Sequence, residues 1–323
     1  MESHQLISDT QHGFRRGRSC LTNLLVFLDE VSWNIDNNNC MDAIYLDFAK
    51  AFDKVPHQRL IHKLRSHGIS GSLLTWISSW LYCRRQRVQI SGAKSEWIRI
   101  ASGVPQGSVL GPVLFLIYIN DLGIDVNEST TILKFADDTK IYAACNNEDD
   151  HRLIQSDLSK LEMWAKDWQM EFNVKKCKTM HLGHSNSRLQ YWLGGNVLDS
   201  TSCEKDLGVW ISSDLKLTHH ITEACKKANR MLGMIKRTIV YKNPHILATL
   251  YKSLVRPHLE YCCSAWSPYY QKDKDSLEKV QRRFTRMFKE LKELDYHDRL
   301  QSLGLWTLEE RRNRADLIEV FKL

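Results

Sequence analysis

Apolar positions keep two rhythms along this chain of 323 residues, and the change comes near residue 215. Before it, the short β-prone runs at residues 43–48 (AIYLDF) and 132–142 (ILKFADDTKIY) predict strands. Residues 19–35 carry Leu21, Leu24, Leu25, Leu28, Val31 and Ile35 at helical spacing, with Ser19 placed to cap the first turn. Further helices are expected at 58–66, ended by His67-Gly68, at 72–82, and over the apolar segment 113–122. Residues 148–171 form a longer amphipathic segment, with Leu153, Ile154, Leu158, Leu161 and Trp164 on the side that backs a sheet. Residues 87–90 and 97–100 read as a hairpin around Ser91-Gly92, and 178–182 and 189–193 as strands followed by a Gly194-Gly195-Asn196 turn. Beyond Leu215 the rhythm is helical to the end, broken at Pro244, Pro257 and Pro268.

This length can bury a substantial core and suggests about two domains. Charge sharpens the division. The net charge is +7, but residues 216–323 hold 22 Lys+Arg against 13 Asp+Glu, whereas residues 1–215 hold 23 against 25. A near-neutral unit followed by a basic helical one suits an enzyme that binds metal in one part and polynucleotide in the other. The nine cysteines include no Cys-x-x-Cys pair and no zinc-finger spacing, so reduced thiols in the nucleus or cytoplasm are expected, with adjacent Cys262 and Cys263 divided between core and surface. The polar first eleven residues predict no signal peptide. No apolar run reaches the roughly 18 residues of a membrane span, which excludes a membrane role.

The chemistry concentrates in Phe135-Ala136-Asp137-Asp138, where two adjacent carboxylates interrupt an apolar run. Like charges this close resist joint ionisation unless a cation neutralises them. By itself such a pair also fits a turn or a helix start. A second apolar run ends in Asp47, and two strands delivering Asp from the same end could hold hard cations such as magnesium through oxygen ligands. Two metals about 3.5–4 Å apart are the usual clamp for in-line phosphoryl transfer. Between the acidic strands lies residues 102–112 (SGVPQGSVLGP), a loop rich in Gly and Pro with a central Gln106.

In this order, LDFAKAFDKV, GVPQGS and FADD resemble three successive motifs of the reverse transcriptase palm. The chain as a whole resembles the polymerase of non-LTR retrotransposons, with further stretches at QHGFRRGRS, NVKKCKTMHLG, KDLGVWI and LVRPHLEYCCSAWSPY similar to the Jockey and chicken-repeat lineages. The resemblance implies an α+β fold: a right-hand polymerase palm whose antiparallel sheet is backed by helices, an α-helical thumb, and incomplete fingers. Residues 1–40 would be residual fingers and the entry helix, 41–214 the palm and 215–323 the basic thumb and carboxy-terminal region. It implies an RNA-directed DNA polymerase using two Mg2+ ions, with Mn2+ as a substitute, an RNA template, a DNA primer and deoxynucleoside triphosphates.

The same resemblance gives roles to single residues. Asp47, Asp137 and Asp138 would be the catalytic metal ligands. Phe52 would exclude a 2′-hydroxyl, while Gln106 and Gly107 would contact nucleotide or template. Lys176 would assist the triphosphate, although Lys175 and Lys178 lie close by. Leu207 and Gly208 would support the primer. Arg282, Arg283 and Arg286, on a helix over 277–291 whose dry stripe is Val280, Phe284, Met287 and Leu291, would track nucleic acid, and Arg15 and Arg18 would touch template or nucleotide. The chain opens at a point resembling the middle of a family segment, so an upstream fingers segment and an endonuclease are expected outside it. Two readings follow: a polymerase, or a catalytically silent relic that keeps nucleic-acid binding.

Overall fold

The computed structural model describes residues 6–241 and 243–322, so the first five residues of the expected entry segment lie outside the described residues. The chain divides into two compact units after Ser202. The compact units thus part before the division expected between 214 and 215. The hairpin of β12 (Cys203–Asp206) and β13 (Val209–Ser212), which the sequence reading gave to the first unit, packs on the first helix of the second. There the Trp210 N–H donates to His220 Nδ1 at 3.2 Å.

In the first unit α1 (Cys20–Asp36) is followed by β1 (Met41–Leu46), α2 (Ala51–Lys54), α3 (His57–Ser66), α4 (Gly71–Tyr82), the short strands β2 (Arg85–Gln86), β3 (Gln89–Ile90), β4 (Ala93–Lys94) and β5 (Ile98–Arg99), and α5 (Leu110–Ile119). Then come β6 (Thr131–Phe135), β7 (Asp138–Ala144), α6 (Glu148–Asp167), β8 (Lys178–Leu182), β9 (Trp192–Leu193), β10 (Asn196–Val197) and β11 (Asp199–Ser200). Five of these strands form one sheet in the order β11-β8-β1-β7-β6, antiparallel except for the β11–β8 pair. The mixed α+β class is therefore present.

All six residues of β1 are buried, because both faces of the sheet are covered. That explains an apolar run without the alternation of a half-wet strand. On one face Phe27 of α1 meets Tyr45 and Tyr142 edge-on, at 6.4 and 4.9 Å. On the other, Ile44, Leu46, Ile141 and Ala143 join a core with α3, α5 and α6. Ser19 caps α1 as expected, in a capping box with Thr22. The C-terminal end of α5 is held by two buried lysines: Lys63 Nζ donates to Tyr118 O, and Lys134 Nζ to the carbonyls of Asn120 and Leu122 at 3.1 and 2.9 Å. Cations there complement the helix dipole, and burial pushes both ammonium groups down to about 8.

Several elements differ from expectation in ways that packing explains. Leu153 is exposed, and Ile154, Leu158 and Leu161 form the buried stripe of α6. The Ser91-Gly92 turn is present, but it is tight, so Ile90 pairs with Ala93 while Arg85-Gln86 pair with Ile98-Arg99. The strand expected over 189–193 keeps only two residues. Tyr191 turns inward instead, and its hydroxyl donates to Asp42 Oδ2 at 2.7 Å.

The second unit continues from the hairpin through α7 (Thr218–Thr238), α8 (Pro244–Leu250), a π-helical turn at Tyr251–Val255, α9 (Pro257–Glu260), α10 (Cys263–Trp266), α11 (Gln271–Thr285), a short 3-10 turn at Lys289–Leu291, α12 (Tyr296–Ser302) and α13 (Leu308–Lys322). The helix expected over 277–291 stops at Thr285. The chain then bends so that Phe288 is buried edge-on against Phe284, at 5.5 Å. Cys263 is buried and Cys262 half-buried. Among the described residues no helix is long and apolar enough to cross a membrane.

At the far end of β1 from Asp47, Asp42 is fully buried. It accepts from His181 Nδ1 at 2.7 Å, Asn186 Nδ2 at 2.8 Å and the Tyr191 hydroxyl. Burial alone would raise this carboxyl, but the His181, Tyr191 and Asn186 hydrogen bonds outweigh it and hold it below the usual carboxylate range. A depressed folded value contributes stability above the unfolded value near 3.9 and loses it as pH falls through the folded value. Asp42→Ala should therefore cost about 3 kcal/mol or more in urea denaturation at pH 7. The gap to the parent should close on acidification below about pH 4; a gap that does not depend on pH would refute the assignment.

Candidate active site

The two Asp residues sit at a tight turn. Phe135 pairs with Asp138, leaving Ala136 and Asp137 as the two-residue connection between β6 and β7, with Ala136 in the left-handed region at φ +58°. The buried Gln11 side chain fixes this turn. Its Oε1 accepts from the Ala136 N–H at 2.9 Å and its Nε2 donates to the Ala136 carbonyl at 3.3 Å. Gly13 lies so close that a Cβ there would meet Ala136 N at 2.4 Å, which requires glycine. The adjoining backbone bonds to the edge of β6, His12 N to Lys134 O and Lys134 N to Thr10 O, each at 2.8 Å. QHGF is thus a brace beneath the acidic turn.

Asp47 reaches the same end of the sheet because Leu46 pairs with Thr139, so the next residues on the two strands are Asp47 and Asp138. Its backbone is pinned by the segment after α6: Asn173 N donates to Asp47 O at 2.7 Å, Ala49 N to Glu171 O at 2.7 Å, and Phe48 stacks on Phe172 at 4.4 Å. The Asp47 N–H also donates to the buried Cys177 Sγ at 3.4 Å. Burial pushes that thiol up to about 11. The tight turn at 173–177 brings the Lys176 ammonium 3.2 Å from Asp47 Oδ2. That oxygen is buried without a hydrogen-bond partner. Asp137 is half-buried, and its carboxyl lies above the usual range; burial is the main cause, the Asp47 charge adds to it and Lys176 opposes it.

Asp47, Asp137 and Lys176 are therefore electrostatically joined, and Lys176 rather than Lys175 or Lys178 approaches Asp47. Lys178 pairs with Asp199 instead. Asp138 is exposed. Among the described residues no three His, Cys, Asp or Glu side chains form a group able to hold a metal, so the expected trio is not closed into a cage. Consecutive side chains diverge where a turn enters a strand. The donor set still has the chemistry of a hard-cation site: two carboxylates close enough to feel each other's charge, one of them with an unsatisfied buried oxygen that has an ammonium beside it.

The loop at 102–109 is bolted to the turn after β1. Gly103 N donates to Val55 O and Val104 N to Phe52 O, both at 2.8 Å, and His57 Nε2 lies 2.9 Å from Gly103 O. Gln106 is exposed, with its Nε2 3.4 Å from Asp53 Oδ1, and Gly107 follows at φ +80°. Phe52 is half-buried and stacks on Phe115 of α5 at 4.2 Å. Asp53, given no role from sequence, is the residue that orients Gln106.

Arg15 is half-buried against its own segment. Its Nη1 donates to Ser8 O at 2.7 Å and pairs with Asp9 at 3.4 Å, so it ties down the QHGF segment. Arg18 is half-buried and, after burial itself, is the main cause that lowers His12 to about 4. In the second unit Leu207 (φ +43°) and Gly208 (φ +92°) form the β12–β13 turn, where the Tyr261 hydroxyl donates to Leu207 O at 3.0 Å. A Cβ on Gly208 would meet the Tyr261 ring at 3.0 Å. The three arginines of the α11 region separate. Arg282 lies over the Tyr296 ring at 4.7 Å, whereas Arg283 and Arg286 line a groove of about 580 Å³ with Lys236, Lys289 and Lys292.

A family model described as "Reverse transcriptase (RNA-dependent DNA polymerase)" matches residues 1–235. The chain belongs to the reverse transcriptase family. Among curated relatives, the RNA-directed DNA polymerase from mobile element jockey of Drosophila melanogaster is 28% identical over 70% of this chain and 26% of its own length. The probable RNA-directed DNA polymerase from transposon BS, also of Drosophila melanogaster, is 25% identical over 97% of this chain and 36% of its own length. The chain thus spans about a third of such relatives. A solved apo telomerase from Candida tropicalis overlaps 87% of this chain and 47% of its own at 12% identity, with a loose TM-score of 0.49.

Within this site, Gln11, Cys177 and Asp53 are the contributors that sequence reasoning passed over. QHGF and NVKKCK were both visible as motifs, but nothing local says that Gln11 reaches residue 136. Replacing Gln11 with Ala leaves the Ala136 N–H without a partner and should cost about 2 kcal/mol of stability in chemical denaturation; an unchanged midpoint would contradict the brace. Lys176→Met should raise the Asp137 carboxyl further in a carbon-detected NMR titration, because the opposing positive charge is gone. A fall would contradict the coupling.

Proposed function

We propose that this chain is the catalytic part of an RNA-directed DNA polymerase of a non-LTR retrotransposon, extending a DNA primer on an RNA template. The observation that carries this reading is the joining of Asp47, Asp137 and Lys176 at one end of a fully covered sheet. Asp47 and Asp137, with Asp138 beside them, are the residues that would hold divalent metal, Mg2+ or Mn2+, whose chemistry is to acidify a primer 3′-hydroxyl and neutralise phosphate charge. The Asp137 carboxyl, raised chiefly by burial and further by the Asp47 charge, is one that a bound cation would bring down. Lys176, exposed and tethered only through its ammonium, can leave Asp47 to meet the triphosphate.

Phe52, fixed by its stack on Phe115, supplies a rigid wall that a 2′-hydroxyl would meet without a hydrogen-bond partner. Gln106 and Gly107 present a polar group and open backbone on the loop tied to the same turn. In the second unit, treated as a basic thumb, the groove with Arg283 and Arg286 suits a polyanion backbone through salt-sensitive contacts. Leu207 and Gly208 form a firm turn suited to supporting a strand. The nick that provides the primer is assigned to an endonuclease outside this chain.

Primer extension by the purified chain, on an RNA template with deoxynucleotides and Mg2+, tests the proposal. The expected outcome is extension that falls at least about 1,000-fold in Asp137→Asn, as for loss of a charge-stabilising group. No extension by folded parent protein, with nucleic-acid binding retained, would favour a silent relic.

A further inference from the structure

Outside the carboxylate site, the first unit carries two groups in which aromatic rings meet guanidinium groups, one on α4, where Trp80 is half-buried and Trp76 exposed, and one on the ribbon after it. Trp76 and Trp80, one turn apart on α4, stack at 6.5 Å with planes 13° apart, and Arg84 continues the line 5.9 Å from the Trp80 ring. The ribbon that follows repeats the pairing, with Arg87 4.5 Å from the Trp97 ring. Trp76 and Trp97 are 53% and 54% exposed, and every residue from 85 to 99 is exposed. Large rings in such numbers are costly to leave in water unless something covers them.

Charge identifies the covering partner. Residues 84–99 contain five basic side chains, Arg84, Arg85, Arg87, Lys94 and Arg99, against the single acid Glu96. Among the described residues none of the five forms an ion pair. An apolar protein surface would leave these cations uncompensated, and duplex nucleic acid hides its bases. A single strand offers both complements: phosphates for the cations and unstacked bases for the rings.

We propose that Trp76, Trp80 and Trp97, with Arg84 and Arg87, form a stacking surface for single-stranded polynucleotide. Bases stack on the rings and the backbone follows the arginines. The surface uses none of the carboxylate-site residues, so it stands or falls independently of the polymerase reading.

Fluorescence anisotropy with the full chain tests this, using a labelled 12-nucleotide oligo-U RNA, the matching oligo-dT and a blunt duplex. Trp76→Ala and Trp97→Ala should each weaken binding of both single strands about fivefold or more, with little effect on duplex, whereas Trp76→Phe should restore most of the affinity. Arg84→Glu with Arg87→Glu should weaken binding and flatten its salt dependence. Arg283→Glu with Arg286→Glu, in the other unit, should weaken duplex binding too. Binding is read directly, with no Mg2+ or deoxynucleotide present, which separates this result from any failure of catalysis. Unchanged single-strand affinity in the folded alanine variants, or equal losses for duplex, would overturn the proposal.

Discussion

Holding two carboxylates at one end of a buried sheet is the constraint on which this structure depends. Burial drives the Asp137 carboxyl above its usual range, and the repulsion of Asp47 adds to it. The two-residue β6–β7 turn calls for a left-handed residue, and the Gln11 amide holds Ala136 there with both of its ends, one on its N–H and one on its carbonyl. On the other strand, Asn173 and Cys177 grip the Asp47 backbone. The charged groups are thus placed by neutral hydrogen bonds on either side, and Lys176 offsets part of the repulsion. Because the braces act on backbone, the carboxylate oxygens stay available to a ligand.

Much of this was legible from residues alone. Ser19, the strands around Asp47 and Asp137, and the Ile154, Leu158 and Leu161 part of the α6 stripe follow from capping and periodicity, which are local. The order of the acidic strands and the Gln106 loop pointed to the family, and the family assignment rests on 235 matched residues. What was not legible depends on distant partners. Gln11 and Ala136 are 125 positions apart, and Asp47 and Cys177 are 130. Asp42 gave no signal because a lone acid in an apolar strand acquires its role only when His181, Asn186 and Tyr191 arrive.

Where the reading of elements failed, a single side chain usually decided. Phe288 seeks the core and ends the α11 stripe early. Tyr191 leaves its expected strand for Asp42. The β12–β13 hairpin joins the second unit because its strand packs against α7. Periodicity records which residues avoid water, but which partner each one finds is a property of the assembled chain.

Cys177 gives this arrangement a built-in gauge. Its sulfur lies under the Asp47 backbone, is fully buried and is a poor nucleophile at neutral pH. Alkylation must therefore wait for the 173–177 turn to lift away from β1, whereas the exposed Cys83 reacts without such opening. The ratio of the two labelling rates reports how often the support beneath the acidic site comes apart in the native protein, with no substrate, metal or nucleic acid needed to read it.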